Sequence, residues 1–172
     1  MYKSQHESTT DTLQIGPYES LGMMVWMMSH AEYHSQWPLW SLENDILPPL
    51  LHGQYKLYLD EQQNPIGFVT WAWLTEKARE IVLTGEAVHD FEAWSAGSNL
   101  LLNDFIAPWG HAKLIIEQIR SFVFPDQKCF GLRRNPDGSI RKVYLGHGHK
   151  KDLKRGQSGE KKNSAGADTP AE

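Results

Sequence analysis

The 172-residue sequence contains a single cysteine, Cys129. One thiol closes no intramolecular disulfide and builds no cysteine-based zinc site. Long apolar runs are missing too. The most apolar early stretch, residues 21–28, falls well short of the roughly 20 residues that cross a bilayer, so no stable membrane insertion is expected. The first 20 residues hold no basic segment followed by an apolar one, which argues against a secretory signal. Internal repeats are absent, and so is any cluster of glycines in a nucleotide-binding pattern. What remains by default is a soluble cytosolic protein.

Hydrophobic residues make up 40% of the chain and seven are tryptophans, enough for one real core. The formal net charge of -4 hides a division. Residues 128–155 carry nine basic side chains against Asp137 and Asp152, so that stretch is strongly positive and the remainder strongly negative. A basic surface on an acidic body suits an anionic partner, although charge that is merely solvated gives the same composition. No nucleic-acid-binding motif accompanies it, and no nucleic-acid partner is expected.

Residues 1–17 read as a flexible N-terminus, 18–149 as one domain, and 150–172 as a disordered charged tail poor in apolar residues. Helical spacing runs from Glu19 to Met28 with Leu21, Val25 and Met28 on one face. A second helix is expected from Pro38, with Leu39, Leu42 and Ile46 inward, ending at Pro48-Pro49. Strands follow at 54–59 and 66–74, joined by a turn over 60–65. Thr75 is a plausible N-cap for a helix with Ala78, Ile81 and Val82 inward, closed by Gly85. Residues 89–98 are ambiguous. A buried strand at 100–106 precedes a helix over 111–123 with Ala112, Ile115, Ile116, Ile119 and Phe122 on its inner side. Asn135-Pro136-Asp137-Gly138 joins two final strands. The pattern is α/β or α+β: a mixed central sheet flanked by helices.

Few residues in this pattern invite chemistry. Asp104 interrupts an apolar strand, where a carboxylate is costly without a partner; it either bonds a nearby turn or orients a histidine. His34 lies between two helices, where loops present active groups, although a lone histidine is more often structural or merely exposed. His30 sits four residues earlier, but that pair lacks the glutamate of a zinc-protease motif. His147-Gly148-His149 supplies two ligands without a site, so no metal is expected. Cys129 reads as a small space-filling residue rather than a nucleophile.

Three segments together resemble the hemolysin-activating acyltransferase family of the HlyC and CyaC type. His34-Ser35-Gln36-Trp37-Pro38 is similar to its histidine–x–x–tryptophan–proline signature. Ile66-Gly67-Phe68-Val69-Thr70-Trp71-Ala72 resembles one of its strands, and Asp104-Phe105-Ile106-Ala107-Pro108-Trp109-Gly110 another motif; Val143 to Gly148 is a looser match. The likeness spans roughly residues 20–150. It departs at residues 29–33 and in the charged tail, where the family has a helical segment.

The resemblance implies a GNAT-like acyltransferase fold and a homodimer. It implies transfer of a fatty acyl group from acyl carrier protein to internal lysines of an RTX-type protoxin, with the loaded carrier as a donor substrate rather than a bound cofactor. It also carries the catalytic histidine onto His34 and the catalytic aspartate onto Asp104. A lysine amine, with a reference pKa of about 10.4, must lose a proton before it attacks a thioester. An imidazole, near 6.5, can take that proton while a carboxylate fixes its tautomer. A covalent acyl-histidine route is the other chemistry open to the same pair. Arg133, Arg134, Arg141 and Lys142 then become candidates for docking the acidic carrier protein. Two other readings compete: a GNAT-like N-acyltransferase using acetyl-CoA, and a non-catalytic chaperone for a toxin or carrier protein.

Overall fold

A computed structural model describes residues 15–149. The tail read at 150–172, and all but the last three residues of the loose N-terminal stretch, lie outside these described residues. Helix α1 spans Pro17–Ser29, its proline in the first turn. It buries Ser20, Met24, Met27 and Met28 rather than the face centred on Val25, which is left 37% exposed. Three methionines at 24, 27 and 28 make a wider apolar stripe than the branched residues do, and the helix is rotated accordingly.

The second helix also departs from expectation. It begins as a π-helical turn, Leu42–Ile46, and runs on as the short helix α2, Leu47–Leu51. Pro48 and Pro49 therefore start the α-helical part instead of ending the helix. In a first turn their missing N–H groups have no intrahelical partner to lose. Leu39 precedes this helix and is 80% exposed, so it does not join the inner face.

Strands β1 (Tyr55–Leu59) and β2 (Pro65–Leu74) form a hairpin. Asp60 caps its turn by accepting from the N–H groups of Gln62 and Asn64. Helix α3, Glu76–Leu83, is capped as expected by the Thr75 hydroxyl, which accepts from the Ala78 N–H. Val82 is buried, but Ile81 is turned largely to solvent. The ambiguous stretch holds a short 3₁₀ turn, Glu92–Ser95, that buries Trp94. Gly97 lies so close against the Leu74 backbone that no side chain fits there.

Strand β3 (Asn99–Ile106) is followed by α4 (Ala112–Gln118), which passes into a second π-helical turn, Ile119–Val123. Ile115 and Ile119 are buried, whereas Ile116 and Phe122 are about half exposed. The π turn shifts the helical phase, and the sheet covers only a narrow stripe. Ile115 packs over Gly67, where a Cβ would collide with it. Strands β4 (Lys128–Arg134) and β5 (Ile140–His147) close the fold.

The sheet order is β1-β2-β3-β4-β5. All neighbours are antiparallel except β3 and β4, which are parallel and joined through α4. Such a mixed sheet flanked by helices agrees with the expected GNAT-like fold. One face carries α1, α2 and α3 over Phe68, Ala72, Leu74 and Ile106; the other carries α4 over Val69 and Leu100. Among the described residues no helix is long and apolar enough to cross a membrane.

Candidate active site

The site is built on an irregularity between β2 and β3. Val69 pairs with Phe105 and Trp71 with Leu102, so the single residue Thr70 stands opposite both Asn103 and Asp104. One extra residue in β3 is a β-bulge, and it reverses which face the following side chains take. Leu101 packs toward α3 and Leu102 toward α4; after the bulge Phe105 still faces α4, while Ile106 joins the α1 and α2 side. The bulge thereby turns Asp104 to the face where α1 ends. In addition, β4 is paired with β3 only over Leu100–Leu102, so Asp104 lies past the last β3–β4 pair.

His34 arrives from the other side. It opens a 3₁₀ turn, His34–Gln36, just after α1. Its ring lies 5.1 Å from that of Tyr33 and 4.6 Å from that of Trp37, and these two aromatic neighbours hold its orientation. His34 Nε2 donates to Asp104 Oδ1 at 3.1 Å. The two residues singled out in the sequence are thus in direct contact, 70 positions apart in the chain.

Asp104 itself is 6% exposed, and both its oxygens accept hydrogen bonds. Its Oδ2 accepts from Asn103 Nδ2 at 2.8 Å and from the Thr70 hydroxyl at 3.3 Å, while its own N–H donates to Thr70 Oγ1 at 3.1 Å. Thr70 is wholly buried. Of the two partners the sequence allows for Asp104, a nearby turn or a histidine, the histidine is the one its Oδ1 meets. A carboxylate only accepts, so Nε2 carries the ring proton and Nδ1 keeps a lone pair. Among the described residues Nδ1 has no protein partner.

Asp45 is a member of this neighbourhood that sequence reasoning missed. It lies in the π-helical turn, and its carboxyl is pushed up to about 6, first by burial and then by the negative charge of Asp104; His89, Arg134 and His34 pull the other way. Its signal in the sequence was faint: a polar residue beside inward-facing Ile46. Thr70 and Asn103 were also missed as site residues.

The remaining candidates are placed elsewhere. His30 Nδ1 meets the Trp26 carbonyl at 2.8 Å, and its ring packs with Trp26 and Trp109, away from a metal pair with His34. His147 accepts from Arg120 through its carbonyl, and His149 faces Glu117 at 3.6 Å. Burial raises the Cys129 thiol above its ordinary value, which keeps it protonated and inert. Among the described residues no three His, Cys, Asp or Glu side chains gather to hold a metal ion.

The basic hairpin divides. Arg133, Arg141 and Lys142 are exposed, with Lys142 Nζ 4.8 Å from the Tyr144 ring centroid. The Arg133 guanidinium beside Tyr144 holds its phenol below the ordinary range. Arg134 differs: it is partly buried, donates to the Gly138 carbonyl at 2.8 Å, and is close enough to Asp45 to act on its charge.

A family model described as the RTX toxin acyltransferase family matches residues 14–145. The chain belongs to the RTX toxin acyltransferase family. The chain is 30% identical to the RTX-I toxin-activating lysine-acyltransferase ApxIC of Actinobacillus pleuropneumoniae, over 82% of this chain and 81% of the relative. It is 29% identical to the protein-lysine myristoyltransferase HlyC of Escherichia coli, over 79% of this chain and 77% of the relative. A Synechocystis protein, sll0720, is 31% identical over 69% of this chain and 81% of its own length.

Proposed function

We propose that this protein transfers a fatty acyl group from acyl carrier protein to the ε-amino group of internal lysines of an RTX-type protoxin, with His34 as general base and Asp104 as its orienter. The observation that carries the reading is the contact between His34 Nε2 and Asp104 Oδ1, with the other oxygen of that carboxylate held by Asn103 and Thr70. The carboxylate holds the ring with Nε2–H toward it, leaving Nδ1 to take the proton of the incoming lysine. The amine nitrogen bonds the thioester carbonyl carbon, the C–S bond breaks, the proton held on Nδ1 passes to the departing thiolate, and the second proton of the new amide nitrogen is released to solvent. Asp104 stabilises the imidazolium formed in between.

Donor recognition follows from charge. Arg133, Arg141 and Lys142 stand in solvent on one hairpin, where they can steer an acidic carrier protein toward the site. Arg134, tied to the hairpin turn at Gly138, also acts on the charge of Asp45.

The test is peptide mass spectrometry of a protoxin fragment incubated with the protein and acyl-loaded carrier protein, beside the His34→Ala variant. A fatty-acyl increment on lysine that vanishes in the variant is the expected result. No increment across several chain lengths would sink the reading, and an increment of equal size in the variant would remove His34 from its role.

A further inference from the structure

Beside His34 lies a cavity of about 140 Å³, lined chiefly by Val25, Met28, Trp37, Leu39 and Leu42. Its three serines are already engaged: Ser29 donates to the Trp26 carbonyl, Ser35 to that of Glu32, and Ser41 to that of Pro38. With those three protons used, a polar acceptor would find few donors there. The exposure of Val25 and Leu39 now has a context. Both are apolar wall residues left open to solvent, and Trp40, 66% exposed, continues the surface next to Leu39.

We infer that this groove between α1 and the π-helical turn seats the alkyl chain of the donor's fatty acyl group, beginning next to the carbonyl held at His34. The inference rests on the transferase reading above and adds the place where chain length is read. The occupant follows from three features together. The lining is chiefly apolar, its hydroxyls donate internally, and His34 forms part of its wall. An engineered cavity of similar size accepts benzene, so the enclosed part takes about six carbons. The rest of a longer chain lies over Leu39 and Trp40. Burying those carbons gives long chains an advantage that short ones lack.

Two measurements test this. The first is the ratio of kcat/KM for tetradecanoyl and butanoyl donors in the unmodified protein, Leu39→Asp and Val25→Trp. Both substituted side chains are solvent-exposed in part, so the fold tolerates them. The ratio is expected to drop at least about tenfold in each, since lost apolar pocket contacts cost discrimination on that scale. An unchanged ratio in both, or equal loss with both donors, overturns the groove and leaves the transferase reading standing.

The second needs no turnover. A carrier protein bearing an amide-linked, non-transferable tetradecanoyl chain with a diazirine at its end is photolysed with the protein, and the label is mapped by peptide mass spectrometry. Labelling within residues 25–42 supports the assignment, and labelling confined to other segments overturns it. A transferase reading that failed would show instead as absent transfer with every donor.

Discussion

The face that holds His34 and Asp104 and the hairpin that holds Arg133, Arg141 and Lys142 are built in opposite ways. In the first, a buried carboxylate takes three side-chain hydrogen bonds, and a bulge, a threonine hydroxyl and two aromatic rings fix its geometry. In the second, three cations stand in water, with Arg133 and Lys142 against Tyr144. Buried polar networks lose heavily when one member is removed, because the groups left behind remain desolvated. Exposed charges act over a distance and are screened by salt. In the proposed reaction the first region governs the rate of the chemical step, and the second the encounter with the acidic carrier protein.

The sharpest way to separate the two is to remove the base. His34→Ala is expected to lower kcat by about 10²–10⁴, the usual share of general base catalysis, with the affinity for the donor little changed. Single-turnover transfer beside donor binding reads both quantities. A donor affinity that fell as far as the rate would blur the division between the regions.

Next in size is Thr70→Val, which keeps the shape but removes the hydroxyl that both serves Asp104 Oδ2 and accepts the Asp104 N–H. Two buried groups lose a partner, so denaturant unfolding should show a loss of about 1–3 kcal/mol. Transfer should slow as well, because Asp104 loses one of its anchors. Thr70→Ser retains the hydroxyl and should restore most of the rate, an outcome that simple loss of packing does not predict.

How much of this was legible beforehand follows from the kind of information each feature needs. Asp104 was visible because a carboxylate in an apolar strand demands a partner. His34 was visible mainly through the family likeness. Thr70 and Asn103 were hidden, since a bulge is a property of two strands in register and no single strand displays it. The double proline was misread because proline both stops a helix and starts one, and only the preceding π turn decides between the two. Exposure at Val25, Leu39, Ile116 and Phe122 was unreadable for a related reason: periodicity marks an apolar stripe but not how much of it the sheet covers.

Smaller effects are expected at the hairpin. Arg133→Glu with Lys142→Glu should weaken carrier-protein binding about tenfold at low salt and flatten its salt dependence, while stability stays within about 0.5 kcal/mol. Titrating binding from low to physiological ionic strength checks this. Equal affinities at low salt would show that the hairpin's charge is only solvated.

Asp45 tests the boundary between the two regions, since it feels Asp104 and His34 from one side and Arg134 of the hairpin from the other. Its carboxyl is raised from 3.8 to about 6, chiefly by burial. Between those values the folded protein keeps a proton that the unfolded chain has lost, so the contribution of Asp45 to stability falls as pH rises through the window. Above it the cost is complete, about 1–2 kcal/mol after allowance for partial exposure. Asp45→Asn has the same shape and no titration. It should match the unmodified protein near pH 4 and exceed it in stability near pH 8, as read by urea unfolding at both. Parallel curves at the two pH values would mean that Arg134 and His89 offset the buried charge in full, which would place Asp45 electrostatically with the hairpin rather than with the buried site.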